Sequence, residues 1–173
     1  MIALKPFSRE HADRTFTWAN DRELMFLVNR QEGVRKSDHL RWCRRIIKIA
    51  RIFAIHHDDK HIGNCCLFDV NSDGRSKKAG LWIYIGDPES RGRGFGELAM
   101  RLLLEYGFRT LRLHKIYLYV MAYNGPAIRL YKKLGFRNEG RKKEDVFLDG
   151  RYYDTIHMGI LSREWEKLAE NRS

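Results

Sequence analysis

Several residue types and segments are scarce in this chain of 173 residues. It has three prolines and no low-complexity tract, which argues against a linker, and its 43% hydrophobic content argues against disorder. No apolar run approaches the roughly 20 residues of a membrane span. The N-terminal "MIALKPFSREH" lacks the apolar core of a signal peptide. We therefore expect one globular domain over residues 1–173, cytoplasmic and without membrane contact.

Cysteine is also scarce, and its arrangement excludes two kinds of site. The three cysteines are Cys43, Cys65 and Cys66, and no C-x-x-C pair occurs. The adjacent pair would point to opposite faces of a strand. We therefore expect no zinc or other metal site, and a reducing compartment.

Acidic residues are few relative to basic ones. The chain has 33 Lys and Arg against 22 Asp and Glu, which gives a formal charge of +11. A basic field attracts anionic ligands such as nucleic acid, ribosomes, phosphorylated cofactors and nucleotide sugars, and it repels cations. The charge therefore counts against polyamines and aminoglycosides as ligands.

The apolar periodicity predicts helices before residue 51 and strands directly after it. We expect Ser8 to cap a helix that ends near Asp21, and Ser37 to cap another that ends near Ala50. A shorter helix is expected over Glu23–Val28, and a loop over residues 29–36. Short polar segments then join three strands into an antiparallel meander: Ile52–His57, Ile62–Val70 and Ala79–Gly86.

The second half alternates helices and strands. Helical spacing begins at Phe95, residues 114–122 alternate aliphatic and aromatic side chains, and a short helix begins near Asn124 and ends at Gly135. Asp149-Gly150 predicts a hairpin. The fold class is therefore α/β (α+β), with one mixed sheet of about six or seven strands flanked by helices. Within this single domain, we expect helices over residues 1–50 and a meander over residues 51–86. Residues 87–136 hold the glycine segment with its two helices and one strand, and residues 137–161 form the C-terminal hairpin.

The glycine-rich segment "ESRGRGFGELAMRLLLEYG" (89–107) predicts a phosphate site, because it joins a strand to the start of a helix. Arg91 and Arg93 add positive charge. A Walker loop would need Gly-Lys-Ser/Thr, and Glu97 stands where the dinucleotide fingerprint has its third glycine. "RGFG" also begins an RNA-recognition signature, but that signature lies on a strand, whereas this segment has helical period. A plain surface turn remains the alternative.

Two motifs resemble the GCN5-related N-acetyltransferase (GNAT) superfamily. "RGRGFG" matches its pyrophosphate motif R/Q-x-x-G-x-G/A, and "NGPAIRLYKKLGF" (124–136) matches N-x-x-A-x-x-x-Y-x-x-x-G-F. The later part is similar to ribosomal-protein N-terminal acetyltransferases and shares much with spermidine acetyltransferases. The front half looks like nucleotide-amino-sugar N-acetyltransferases.

The resemblance implies that acetyl-CoA is the cosubstrate, that a primary amine attacks its thioester directly, and that no metal takes part. It implies that the strands Leu81–Gly86 and Ile116–Val120 splay apart around the pantetheine arm. It makes Tyr131 the candidate general acid, with Asn124 orienting the pantetheine or a water, or capping the helix. The cofactor-binding set that it implies is Ile83, Tyr84, Ile85, Arg91, Gly92, Arg93, Gly94, Phe95, Gly96, Asn124 and Tyr131.

The general base and the acceptor stay open. The glutamate that many family members carry on the strand before the phosphate loop is missing from "AGLWIYIG" (79–86). The remaining candidates for the base are Tyr84, Glu139, Asp154 and His157. Residues in positions where similar enzymes bind acceptors are Trp18, Asn20, Asp21, Phe26, His39 and Trp42, and the substrate-binding set is Trp18, Asn20, Trp42, Tyr84 and His157.

We favour an N-acetyltransferase whose acceptor is an amino sugar of a sugar nucleotide or a protein or peptide N-terminal amine. A polyamine acetyltransferase is one alternative, and a non-catalytic, basic RNA- or ribosome-binding module on the same fold is another. Nucleic acid is not the expected substrate. A ribosome contact and a homodimer are left open.

Overall fold

The computed structural model describes residues 1–28, 33–70 and 75–170. Seven strands form one sheet: β1 (Ile2–Pro6), β2 (Arg51–His57), β3 (Lys60–Phe68), β4 (Lys78–Ile85), β5 (Lys115–Met121), β6 (Arg137–Leu148) and β7 (Arg151–Leu161). Six α-helices accompany it: α1 (Ala12–Trp18), α2 (Arg22–Leu27), α3 (Lys36–Ile49), α4 (Phe95–Glu105), α5 (Gly125–Lys133) and α6 (Ser162–Glu170).

The sheet is mixed, and its parallel pair of strands, β4 and β5, positions the site. The strand order is β1-β2-β3-β4-β5-β7-β6, with antiparallel pairing except between β4 and β5. These two strands are parallel and pair only from Lys78 opposite Lys115 to Gly80 opposite Tyr117. Beyond Gly80 the strands diverge, as the resemblance implied, and a cleft opens between them.

The two faces of the sheet carry different cores, because successive strand residues point to opposite sides. Cys65 belongs to a large cluster with residues of α4, α5 and α6, whereas Cys66 belongs to one with residues of α1 and α3. The prediction that these neighbouring cysteines face opposite ways is confirmed. In the same way Leu81 packs in the first cluster and Trp82 against the second.

Most of the predicted elements are present, with the predicted order. The three meander strands, β5, α5 and the hairpin at Asp149-Gly150 are confirmed. Both turn residues have positive φ, at 47° and 81°, as a two-residue hairpin turn requires. No helix within the described ranges is long and apolar enough to cross a bilayer.

Two expectations differ from the structure, and two elements were not expected. The helix after Ser8 is a 3₁₀ turn (Arg9–His11) followed by α1, and it ends at Trp18. The prediction that Ser37 caps α3 is wrong, because the extended residue Arg35 is the N-cap and Ser37 lies inside the first turn. Sequence reasoning also missed β1, which has five residues and pairs with β2, and α6, which packs against the large core cluster through Trp165 and Leu168. Residues 29–32 and 71–74 of the predicted loops lie outside the described residues.

Candidate active site

The divergence of β4 and β5 opens a cleft of about 590 Å³. Apolar side chains form most of its walls, including Leu24 and Val28 on the α2 side and Leu130 on α5. The cleft brings together ten of the predicted cofactor-binding residues: Ile83, Tyr84, Ile85, Arg91, Gly92, Gly94, Phe95, Gly96, Asn124 and Tyr131. Arg93 is not among its lining residues. Its guanidinium lies 5.1 Å from the centre of the Phe95 ring.

The glycine loop closes one end of the cleft. Gly92 and Gly94 have φ of 72° and 80°, which side-chain-bearing residues rarely adopt, and neither would meet a neighbour if it carried a Cβ. Gly94 is the N-cap of α4, so the first N–H groups of this helix, at Phe95 and Gly96, lack intrahelical acceptors. Backbone donors and open space at a helix N-terminus fit a pyrophosphate group.

Arg91 uses its guanidinium differently from the sequence expectation. Its Nε donates to the carbonyl oxygen of Ile85 at 3.1 Å, and its Nη2 donates to that of Gly86 at 3.1 Å and to Asp21 Oδ2 at 2.9 Å. Its backbone N–H is bonded to the carbonyl of Pro88 at 3.2 Å. The side chain therefore bonds the loop to α2, instead of pointing into the space next to the Phe95 and Gly96 N–H groups, which we call the cradle.

Tyr131 lies on the wall of the cleft where the strands have separated. Burial raises the pKa of its hydroxyl to about 12, so the group keeps its proton at neutral pH and can donate it. The helix that carries Tyr131 begins at Asn124, whose Oδ1 accepts from the Ala127 N–H at 3.2 Å, and ends before Gly135 at a φ of 95°. The Asn124 cap and the end of α5 before Gly135 therefore set the position of Tyr131 along the cleft.

Asn124 caps α5 and also reaches α2. Its Nδ2 donates to the carbonyl oxygen of Leu27 at 3.2 Å. Both ends of the amide therefore have protein partners. The cap predicted from the sequence is present, and the contact with α2 was not foreseen.

Where β4 lines the cleft, it presents Trp82 and Tyr84 and no carboxylate. A side chain at Gly80 would collide with the Phe68 ring, which fills that space. Tyr84, whose side chain lines the cleft, accepts a hydrogen bond from Asn64 Nδ2 at 2.7 Å. Of the four candidates for the general base, Tyr84 is the one that the described cleft contains.

The other candidate bases are engaged outside the cleft lining. Glu139 pairs with Lys115 at 2.7 Å, and Asp154 accepts from Arg141 and from the Glu144 N–H. His157 stacks on Tyr119 with ring centres 4.7 Å apart. Neither carboxylate among the predicted bases therefore belongs to the described cleft lining.

Several of the residues predicted to bind the acceptor pack against other protein groups or hydrogen-bond to them. Trp18 is 5% exposed and packs against Gly86 and Tyr84. Trp42 packs against Trp82 at 6.5 Å, and Asn20 donates to the Phe16 carbonyl at 3.0 Å. None of Trp18, Asn20, Trp42 and His157 is part of the described cleft lining.

The remaining residues from the front of the chain also have structural partners. His39 is buried and contacts the Ala12 carbonyl oxygen at 3.1 Å. Phe26 stacks on Tyr123 at 4.6 Å. Asp21 caps α2 and pairs with Arg91.

Sequence reasoning missed a buried polar network behind Tyr84. Asn64 is fully buried; its Nδ2 also donates to Thr15 Oγ1 at 3.1 Å, and its Oδ1 is 2.9 Å from His61 Nε2. Three elements thus meet on one amide. The only local signal was an isolated Asn among apolar residues of a predicted strand.

The strands β4 and β5 separate beside a glycine loop at a helix start, which agrees with the fold that the resemblance implied. The sequence model of the acetyltransferase (GNAT) domain matches residues 2–137, and the chain belongs to this family. Together with the relatives below, this makes the protein an N-acetyltransferase with acetyl-CoA as its cosubstrate.

Similar proteins include two curated enzymes. Spermidine N(1)-acetyltransferase of Vibrio cholerae serotype O1 is 36% identical over 121 residues, 69% of this chain and 68% of that protein. The Escherichia coli K12 enzyme of the same name is 36% identical over 123 residues, 71% of this chain and 63% of that protein. The aligned part therefore spans about two thirds of these relatives.

Solved structures extend the likeness along the chain. The crystal structure of the Vibrio cholerae enzyme in complex with CoA and spermine superposes with a TM-score of 0.88 and 28% identity, over 95% of this chain and 98% of that chain. A structure of that enzyme described as dodecameric gives a TM-score of 0.80 at 28% identity, over 95% of each chain.

Proposed function

We propose that the cleft between β4 and β5 transfers an acetyl group from acetyl-CoA to a primary amine, with Tyr131 as the general acid. The observation that carries this proposal is the continuity of the cleft from the glycine loop to Tyr131. The cosubstrate supplies an activated thioester. The amine nitrogen forms a bond to the carbonyl carbon, and the carbon–sulfur bond breaks.

In this proposal, different protein groups contact the pyrophosphate, the thioester and the departing sulfur. The Phe95 and Gly96 N–H groups hold the pyrophosphate, and the apolar walls near Leu130 exclude water from the thioester. Tyr131 donates its proton to the departing sulfur and regains a proton from solvent before the next turnover. The amine attacks in its neutral form, because a protonated amine has no free electron pair. Since β4 carries no carboxylate, the nitrogen releases its surplus proton to solvent after the attack.

Tyr131→Phe tests the acid role. We expect kcat to fall by about 10²-fold or more, since general acid catalysis contributes roughly 10²–10⁴. The Kd for coenzyme A, measured by calorimetry, should stay within about twofold, because the ring that packs in the cleft is kept. Tyr152→Phe is the matched control, since Tyr152 is 61% exposed on the hairpin. An unchanged kcat for Tyr131→Phe would remove the acid role.

For the acceptor, we propose an aliphatic polyamine. Both curated relatives are named for spermidine, and the structural relative binds spermine. These names support the polyamine alternative over the amino sugar and peptide amines that the sequence favoured. The relatives are all named as transferases, so they give no support to a non-catalytic RNA-binding role.

A nucleotide-linked amino sugar stays as the second candidate, because of the charges at the cleft. Among the described lining residues, the one carboxylate is Glu97, and it already pairs with Arg101 at 2.6 Å and Lys133 at 2.6 Å. A polyamine would lack an uncompensated carboxylate there, whereas an anionic sugar nucleotide suits a chain of charge +11.

A turnover screen separates these acceptors. Free coenzyme A release would be followed with spermidine, spermine, a nucleotide-linked amino sugar and an N-terminal peptide. The polyamine proposal predicts the highest kcat/KM for spermidine or spermine. The opposite ranking would favour the amino sugar, and no turnover with any primary amine would refute the transfer itself.

We also propose that this chain self-associates, as does the dodecameric relative. Light scattering after size-exclusion chromatography would check it. A mass of 20.6 kDa at micromolar protein would contradict the proposal.

A further inference from the structure

Helix α2 is bonded at both ends to the two loops that carry the candidate acetyl-CoA site. At its start, Asp21 Oδ2 accepts from Arg91 of the glycine loop at 2.9 Å. At its end, the Phe26 carbonyl accepts from Tyr123 Oη at 2.5 Å, and the Leu27 carbonyl accepts from Asn124 Nδ2 at 3.2 Å. The helix therefore bridges the chain ends of β4 and β5, where these strands have diverged.

The Asp21–Arg91 pair links the glycine loop and the end of β4 to the start of α2. The Arg91 guanidinium also binds the carbonyl oxygens of Ile85 and Gly86, so one planar group holds the end of β4 and α2 together. The side chains of Arg91 and Asp21 are only 26% and 28% exposed, which limits solvent screening of the pair. Helix α2 also contributes Leu24 and Leu27 to the wall of the cleft.

The two carboxylate oxygens of Asp21 accept hydrogen bonds from different partners. Its Oδ1 accepts from the Leu24 N–H at 3.1 Å and caps α2, while its Oδ2 receives Arg91. Despite the opposing effect of burial, these hydrogen bonds and the nearby guanidinium lower the pKa of the carboxyl, so it is ionised at neutral pH. An amide at this position would keep the cap and lose the ionic contact.

We infer that the Asp21–Arg91 pair couples cofactor binding to the part of the cleft wall formed by Leu24 and Leu27, which in this inference faces the acceptor, with both residues acting as positioning residues. This inference rests on the proposed function. A pyrophosphate bound at Gly92–Gly96 restrains the loop and with it Arg91, and Arg91 holds α2 in the place where Leu24 and Leu27 complete the wall. By linkage, the coenzyme then strengthens acceptor binding, and the acceptor strengthens coenzyme binding.

Asp21→Asn is the main variant, and Glu23→Gln is its matched control. Asn is also a good N-cap, so α2 should form in both variants. Glu23 lies in the first turn of the same helix, 3.8 Å from Arg91, but it is 82% exposed. The two variants therefore remove the same charge from the same helix end, and only the first removes the close, half-buried contact.

Hydrogen exchange with and without coenzyme A reads the coupling without any acceptor. In the wild type and in Glu23→Gln, coenzyme A should slow exchange of the amides in both 92–98 and α2. In Asp21→Asn, it should still slow exchange in 92–98, while the protection of α2 is lost. Equal protection of α2 in wild type and Asp21→Asn, or equal loss in both variants, would overturn the coupling.

Steady-state kinetics with spermidine, or with whichever amine the screen selects, adds a second readout. Asp21→Asn should raise the KM for the amine by about tenfold, within the usual range of coupling effects, and change the Kd for coenzyme A by less than about threefold. Arg91→Lys should give the same change, because Lys cannot contact Asp21 and both carbonyl oxygens at once.

The double variant decides whether the two residues act as one unit. Asp21→Asn with Arg91→Lys should raise the KM no further than either single change, whereas multiplied effects would contradict the inference. If the wild type transfers acetyl to no amine, the proposed function fails, yet the exchange experiment still tests the coupling. If turnover is present and α2 protection is unaffected by Asp21→Asn, only the coupling fails.

Discussion

The two faces of the sheet are stabilised in different ways. The face under α4, α5 and α6 is packed by aliphatic side chains such as Leu103, Leu104 and Met158, all fully buried. The face under α1, α2 and α3 holds aromatic rings together with buried polar groups, among them Asn64 and His61. The first face depends on close packing, whereas the second also depends on hydrogen bonds that must all be made at once.

The largest expected change is a cavity on the aliphatic face. Leu103→Ala should lower the free energy of unfolding by about 3 kcal/mol, because buried Leu→Ala changes cost roughly 2–5 kcal/mol. Urea denaturation measures it. Leu98→Ala in the same helix is the control, since Leu98 is 48% exposed, and a change within about 0.5 kcal/mol is expected. Equal losses would mean that α4 does not pack as described.

Mild acid should weaken the polar face selectively. Burial is the main cause that lowers the pKa of His61 to about 4, and it also lowers the pKa values of His11 and His56, which lie against it. The unfolded imidazole has a pKa of about 6.5, so unfolding takes up protons below that pH. Stability is therefore full above pH 6.5 and falls as the pH drops towards 4, by no more than about 3 kcal/mol for His61.

Urea midpoints at pH 7, 6, 5 and 4.5 would measure this loss. The carboxyl groups with lowered pKa, such as Asp87 and Glu97, protonate below this range. His61→Gln should flatten the profile in part, with His11 and His56 responsible for the rest. A wild-type stability that stays constant from pH 7 to 4.5 would contradict the prediction.

A smaller loss is expected when the central amide of the polar face is removed. Asn64→Ala leaves Thr15, Tyr84 and His61 each without one hydrogen-bond partner, and we expect a loss of about 2 kcal/mol in the free energy of unfolding. Asn138→Ala, an exposed Asn that accepts from the Gly140 N–H, should cost less than about 1 kcal/mol. If the two variants lost the same stability, the buried network would contribute nothing beyond a surface bond.

The smallest effect on stability is expected in the glycine loop that precedes α4. Gly94→Ala forces a side chain into a φ of 80°, which costs about 1–2 kcal/mol. The Kd for coenzyme A should rise as well, because Gly94 precedes the N–H groups of the cradle. Gly140→Ala is the control, since its φ is not positive and a Cβ there meets no neighbour. An unchanged Kd for Gly94→Ala would show that the loop conformation does not limit binding.

Local pattern predicted the helices and strands on both sides of the sheet better than the polar contacts between them. The periods of β4, β5 and α4 are visible within a few residues, and the glycine loop and Tyr131 follow from spacing along the chain. The strand β1 is five residues long and exists through pairing with β2, so no local signal defines it. Trp18 and Asn64 could not be assigned from spacing, because their partners lie tens of residues away.

By itself the sequence determined the order of elements from α1 to β7, the glycine loop at the start of α4 and the position of Tyr131 on α5. These follow from side-chain periodicity, helix caps and glycine conformations, all of which act over a few residues. Only the tertiary structure decided that Arg91 turns away from the cradle to Asp21, 70 positions earlier, and that Asn124 bonds α2. Such contacts form between distant segments, and their geometry exists only once both faces of the sheet have packed.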